Sequence, residues 1–439
     1  MKHEILVGDV LAGLRAMPDA SVQCVVTSPP YSRAVEAGGE AWGLRDYGVE
    51  GQIGLEPTPE EYVERMVGVF REVRRVLRDD GVIWVNLGDS YSTHAAGVVE
   101  DPMAKSTLAG VRTQVVANRS SRAMGVYQKC KSLPEKNLVG IPWRVAFALQ
   151  ADGWYLRSDI IWSKSACVPS TAEDKPNPMP ESVTDRPTKS HEYVFLLTKS
   201  SRYFYDADAV REEHKQESLA RVEQGWHCDR LNQGNSLARG EPSAISVSKM
   251  GDRWCNPAGR NRRSVWEVAT QPTPEAHFAT MPEALVEPCI KAGTSERGCC
   301  PTCGAPWRRV TEREEDAGLA RSAGGKADEQ PETDRAKRLG QRRNAARAAG
   351  GDHTNPFGGR MTARWAPTCT CSAGDPIPCT VLDPFGGSGT VAKVARDLGR
   401  SSVMIELNPA YVGIMKKRLR VGEQLDTGVC EYAVREVGV

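Results

Sequence analysis

Short apolar runs alternate with amphipathic stretches at both ends of this 439-residue chain, and that alternation restricts the fold more than any other feature. Residues 5–7 are an apolar run and 9–17 read as a helix. Residues 22–27 form a second apolar run, stopped by Ser28-Pro29-Pro30-Tyr31. Between 59 and 78 the residues Tyr62, Met66, Val69, Val73, Val76 and Leu77 recur at three and four. That spacing predicts a helix with Pro59 in its first turn. Asp80-Gly81 predicts a break and 82–87 a strand, followed by a helix near 142–152 and strands near 155–162 and 193–198. Towards the carboxyl end, 380–382 and 402–405 read as strands, and 390–398 and 409–419 as helices. Strands alternating with helices predict an α/β fold with a doubly wound, mostly parallel sheet.

Composition removes several classes. No run of about 18 apolar residues occurs, so no membrane span and no membrane partner are expected. The opening residues lack a leader's apolar stretch, which predicts a cytoplasmic protein. The 13 cysteines then read as reduced thiols or a metal site rather than a disulfide scaffold. Lys+Arg 57 against Asp+Glu 56 is near balance, so a polyanionic partner must meet local basic patches. Periodicity is weak over 88–137 and 207–275. A third stretch, 312–364, begins acidic and turns basic. It reads as a flexible basic insertion, or as a solvated linker with no partner.

The strongest local signal is Asp383-Pro384-Phe385-Gly386-Gly387-Ser388-Gly389-Thr390. A buried strand ends at an acid, a glycine-rich turn follows, and a helix opens. Glycines let backbone approach a ligand, and the carboxyl edge of such a sheet is where cofactors bind. Glu406 ends the next strand, about 20 residues on, where a carboxylate suits paired ribose hydroxyls. No Gly-Lys-Ser/Thr follows, which disfavours a phosphate loop. Asp383 and Phe385 stand where a pyrophosphate would want bare amides. A cationic nucleoside fits better, against the plainer alternative of a strand-to-helix turn.

Ser28-Pro29-Pro30-Tyr31 also follows a buried strand. Two prolines fix the backbone and remove two donors, so their carbonyls are expected to point outward as acceptors. With the Ser28 hydroxyl and the flat face of Tyr31, this suits an exocyclic amino group on a stacked base. Alone, the tetrapeptide would be a rigid turn with an incidental aromatic.

Together these segments resemble the amino-methylating DNA methyltransferases of the permuted β group. Those enzymes carry the catalytic tetrapeptide early and the S-adenosylmethionine loop late. Gly8-Asp9, Thr27 to Tyr31, Arg45-Asp46-Tyr47-Gly48 and Gly51-Gln52-Ile53-Gly54 look like the family's opening. Gly81 to Asn86, Asp159 to Lys164 and Ser190 to Phe195 look like its core strands, and His277 to Pro282 like the lead into the cofactor loop. The resemblance implies a circularly permuted S-adenosylmethionine-dependent methyltransferase fold acting on double-stranded DNA. Asp383, Pro384, Phe385, Gly386, Gly387, Gly389 and Thr390 would line the cofactor, with Phe278, Thr280 and Pro282 closing one side. Glu406, with Asn408 beside it, would take the ribose hydroxyls, and Asp9 would contact the adenine. Ser28, Pro29, Pro30 and Tyr31 would hold the flipped base. A leading Ser leans towards cytosine N4, with adenine N6 as the alternative. The rivals are a non-catalytic DNA-binding protein on the same fold and a methylase of RNA or protein amide nitrogen. A homodimer and a cognate restriction enzyme are also implied.

Cys300-Pro301-Thr302-Cys303-Gly304 has the form of a metal knuckle, and Cys369-Thr370-Cys371 could complete a tetrahedral zinc site. Free thiols are the alternative, and Cys299 is a spare ligand. Arg253, Arg260, Arg262 and Arg263, with Trp254 and Trp266, make 216–268 the main candidate for reading DNA, and 335–364 the second. The expected division is a catalytic half (1–206), a target-recognition region (207–275), a lead-in (276–292), a Cys-containing basic insertion (293–372), a cofactor half (373–425) and a tail (426–439).

Overall fold

The computed structural model describes residues 1–30, 49–92, 133–134, 136–166, 175–176, 184–214, 259–270, 280–313, 360–371, 374–421 and 430–438. Two compact units emerge: 1–209 with 263–308 and 367–439, and 210–262 with 309–366.

The first unit is built on one sheet. Its strands are β1 (Lys2–Val7), β2 (Val22–Thr27), β3 (Leu77–Leu87), β4 (Tyr155–Ala166), β5 (Lys175–Pro176), β6 (His191–Thr198) and β7 (Val265–Ala269). The strand pair β8 (Trp307–Arg313) and β9 (Arg360–Pro367) follows, and then β10 (Thr380–Asp383), β11 (Ser401–Glu406) and β12 (Glu431–Glu436). Their order is β12-β1-β11-β10-β2-β3-β6-β4-β5, with β7 on β4; β8 and β9 pair separately. From β12 to β3 every pairing is parallel, whereas β6 pairs antiparallel with both β3 and β4. Apolar runs alone do not show strand direction, so the sequence conveyed a buried sheet but not this antiparallel half.

Helices cover both faces. They are α1 (Val10–Arg15), α2 (Pro59–Val76), α3 (Ile141–Ala151), α4 (Glu283–Gly293), α5 (Thr390–Asp397) and α6 (Pro409–Leu419). Helix α2 starts as its sequence dictates. Thr58 caps it by accepting the Glu61 N–H at 3.2 Å, Pro59 occupies the first turn, and Glu60 and Glu61 face the positive helix end. Its stripe of Tyr62, Met66, Val69, Phe70, Val73 and Val76 is buried. Those side chains join Ile83, Val85 and Leu87 of β3 and Val145 and Leu149 of α3 in one core. The alternate side chain Cys24 faces α4, its Sγ 3.9 Å from the Cys289 carbonyl. Burial on both faces explains why residues 82–85 are a continuous apolar run rather than an alternating one.

Helix α2 ends at Val76, ahead of the break expected at Asp80-Gly81, and β3 starts at Leu77 and runs through that pair. A Cβ at Gly81 would come 2.9 Å from the Gln23 carbonyl of β2, so glycine there permits close strand approach where the β2–β3 register shifts. The region read as a tail carries β12, an exposed strand parallel to β1. Trp266 corrects another expectation. It sits on β7 inside the main sheet, 5% exposed and 6.0 Å from the Trp84 ring, so it is core rather than a reader of DNA.

Candidate active site

Strands β10 and β2 are neighbours, with Val381 opposite Cys24 and Leu382 opposite Val25. Parallel pairing sends both chains out of the same edge, so the glycine loop and the Ser-Pro-Pro loop leave it side by side. One hydrogen bond joins their roots: Thr27 Oγ1 donates to Asp383 Oδ1 at 2.7 Å. The same oxygen accepts the Phe385 N–H at 3.0 Å, which folds the loop back over its strand. Burial pushes the Asp383 carboxyl up to about 7; the bonds from Thr27 and Phe385 oppose the shift and the nearby Glu406 adds to it.

Glu406 ends β11, as Asp383 ends β10. Its Oε2 accepts the Gly387 N–H and its Oε1 the Asn408 N–H, each at 2.7 Å. Burial raises this carboxyl above its ordinary value, against the pull of those backbone donors. A carboxylate offers about four lone-pair sites, so Glu406 keeps acceptor capacity for a ligand hydroxyl beside its backbone donors. The N–H groups a phosphate would seek, on Phe385 and Gly387, therefore already serve carboxylates.

A cleft of about 350 Å³ opens here, within the range of small-molecule sites. Asp9, Thr280, Asp383, Pro384, Phe385, Gly386, Gly387, Thr390, Glu406 and Asn408 line it, as do Ser28, Pro29 and Pro30. Gly389 and Pro282 stand just behind, as the N-cap residues of α5 and α4. Asp9 also caps α1, its Oδ1 accepting the N–H groups of Leu11 and Ala12 at 2.9 and 3.1 Å. The Pro30 carbonyl corrects one expectation: it accepts from Tyr62 Oη at 2.9 Å and so ties the loop to α2 instead of pointing outward. Tyr31, Phe278, Arg253 and Trp254 lie outside the described residues, as do Arg45 to Gly48 and most of 88–137, 216–258 and 314–359.

The far wall of the cleft holds a chain of polar groups that sequence reasoning did not single out. Ser28 Oγ donates to Asn86 Oδ1 at 3.2 Å. Asn86 Nδ2 donates to Glu192 Oε2 and to the Tyr193 carbonyl, both at 3.1 Å. Two acceptors at that atom identify it as the nitrogen and turn Oδ1 towards Ser28. Lys164 Nζ in turn holds Glu192 Oε1 at 2.6 Å and lies 5.3 Å from the centre of the Trp162 ring. Asn86, Lys164 and Glu192 each stand inside strand segments that looked merely structural, and nothing local marks them as site residues.

Arg418 of α6 is a second omission. Its Nη1 donates to Ser388 Oγ, the Ser388 carbonyl and Thr390 Oγ1 at 2.7, 3.1 and 3.0 Å, which clamps the glycine loop from behind. Of the arginines expected to meet DNA, Arg260 is paired with Glu212 at 2.9 Å, and Arg262 and Arg263 immediately precede β7. The sulfurs of Cys300, Cys303, Cys369 and Cys371 all lie within 4.8 Å of one another, and Cys299 is not among them. Among the described residues, no helix is long and apolar enough to cross a membrane.

A family model described as DNA methylase matches residues 22–300 and 342–417. The Type II methyltransferase M.Cfr9I of Citrobacter freundii is 36% identical, over 97% of this chain and 89% of its own length. The Type II methyltransferase M.SmaI of Serratia marcescens is 32% identical, over 95% and 90%. A solved structure of PvuII DNA methyltransferase (cytosine-N4-specific) aligns over 97% of this chain and 89% of its own, at 14% identity and a TM-score of 0.45. With a family model spanning most of its length and full-length relatives above 30% identity, the chain belongs to the DNA methylase family and is a DNA methyltransferase.

Proposed function

We propose that this enzyme methylates the exocyclic N4 of a cytosine flipped out of double-stranded DNA, with S-adenosylmethionine as the donor. The observation that carries the reading is the Thr27–Asp383 bond, which fixes a Ser-Pro-Pro loop and a carboxylate-lined glycine loop at one edge. The cleft suits a cationic nucleoside, because the carboxylates of Asp9, Asp383 and Glu406 line its cofactor side and its loop amides are already engaged. Asp383, Phe385, Gly387 and Glu406 would hold the cofactor, with Thr280 and Asn408 beside them. S-adenosylmethionine, when bound, supplies a methyl group on a positively charged sulfur.

The acceptor side falls to the chain's own residues. An exocyclic amino nitrogen is a weak nucleophile because its lone pair is delocalised into the ring. Ser28 Oγ and the Pro29 carbonyl accept its two protons and draw density back onto the nitrogen. The Ser28 hydroxyl proton is directed at Asn86, so the serine meets the base as an acceptor. Glu192, braced by Lys164, keeps the Asn86 amide from turning over. Once the methyl group is transferred, the nitrogen's surplus proton is released to solvent. Tyr31 stacks on the base, whose unstacking costs a few kcal/mol. Positioning thus supplies most of the acceleration. Arg262 and Arg263, which lie ahead of β7, are the described arginines assigned to DNA contact in this reading. A cognate restriction enzyme and a cytoplasmic site of action follow from the same reading.

Ser28→Ala is expected to lower kcat by about 100-fold or more while S-adenosylmethionine and DNA binding persist. Methylation at the wild-type rate would remove Ser28 from the reaction. Digesting methylated DNA to nucleosides identifies the base: N4-methylcytosine is expected, and N6-methyladenine would overturn the choice of cytosine.

A further inference from the structure

We propose that Cys300, Cys303, Cys369 and Cys371 bind one zinc ion as a tetrathiolate clamp at the neck of the β8–β9 strand pair. The four sulfurs come from two chain segments far apart in sequence, yet all lie within 4.8 Å of one another. A zinc tetrahedron with Zn–S bonds of about 2.3 Å has edges of about 3.8 Å, so side-chain rotation alone completes it. The segment from Cys300 to Ala305 already has knuckle geometry. The Gly304 N–H donates to the Cys300 carbonyl and the Cys300 N–H to the Ala305 carbonyl, both at 2.8 Å.

The location gives the ion a task. Cys303 lies just before β8 and Cys369 just after β9, so the cluster joins the outgoing and returning chains of one excursion. Thr368 Oγ1 donates to the Pro306 carbonyl at 2.7 Å, a second tie across the same neck. The main sheet grips the knuckle. Gln23 Nε2 of β2 donates to the Gly304 carbonyl at 3.1 Å, and Arg78 of β3 donates to the Cys303 carbonyl. The Arg78 guanidinium also offsets the net negative charge of a zinc tetrathiolate. Binding exchanges four S–H protons, released to solvent, for one divalent cation, and no electron moves. The clamp stands apart from the methyl-transfer cleft, and the proposal is independent of which base is methylated.

Full-length protein purified without chelator should contain about one zinc per chain by elemental analysis. Cys303→Ser and Cys371→Ser should lose it, whereas Cys430→Ser, outside the cluster, should keep it. Because the first two variants could misfold, the wild type is also reconstituted with cobalt(II). Thiolate-to-cobalt charge transfer and tetrahedral visible bands are expected. A strong chelator should make the four thiols reactive to a disulfide reagent and speed amide exchange in β8 and β9, with β10 and β11 unchanged. The proposal fails if folded wild-type protein carries only traces of zinc with all four thiols reactive, gives no cobalt–thiolate spectrum, or holds iron instead.

Discussion

Asp383 is the side chain that ties the glycine loop to the root of the Ser-Pro-Pro loop, through Thr27. Its carboxyl, pushed up to about 7 by burial, is roughly half protonated near neutrality in the free protein. A cation prefers the carboxylate, so affinity for S-adenosylmethionine should rise with pH and level off above about 7. Below that point it should fall by up to about tenfold per pH unit, with proton release on binding. Calorimetry in buffers of different ionisation enthalpy measures both effects, and Asp383→Asn should flatten the profile. The sign for stability is opposite. The carboxyl titrates higher folded than unfolded, so its contribution is complete below the ordinary carboxylate range and is lost as pH rises through about 7. In the proposed reaction Asn86 would act one step back, through its bond to Ser28. Asn86→Ala should lower kcat by about tenfold and leave the cofactor KM unchanged, whereas a purely structural loss would shift both. Asp383 announced itself in the sequence because a strand, an acid and glycines stand together. Asn86 did not, since inside Val82 to Leu87 it looks like one polar residue in an apolar strand. Its partner Glu192 is remote in the chain.

Where an element begins was legible when a cap or a proline marked it. Helix α6 runs over Pro409–Leu419 as the sequence predicts, with Asn408 capping the Ala410 N–H at 2.9 Å. Direction and edge position were not legible. The β12 strand is short, polar and exposed, which suits an edge and leaves no apolar pattern to read. At the entry to α5, Gly389 has φ of 79°, and a Cβ there would come 2.5 Å from Met415 Cγ of α6. Gly389→Ala should therefore destabilise the protein by about 1–3 kcal/mol through backbone strain and overpacking. Thermal denaturation without cofactor measures this loss, and weaker cofactor binding should accompany it.

Across the whole molecule, the cleft and the cysteine cluster both belong to the first unit, while the second is assembled from 210–262 and 309–366. A ligand that binds only folded protein stabilises the unit holding its site, by about 2.7 kcal/mol at a hundredfold excess over Kd. Differential scanning calorimetry with saturating S-adenosylmethionine should shift the transition of the first unit upward and leave that of the second in place. The sequence conveyed the α/β class and the two loops because each is a local pattern. It could not convey a unit made from two separated stretches, since neither stretch carries a periodicity that points to the other.

The neighbouring position of β2 and β10 has an engineering consequence. Adjacent parallel strands keep a spacing of about 4.8 Å fixed by backbone hydrogen bonds, whatever side chains they carry. The distance between the two loop roots is therefore set by a ruler that mutation cannot stretch. Variants that accept a different base should arise from reshaped walls, at positions such as Lys164, Glu192 and Thr280, while the strand ends stay where they are.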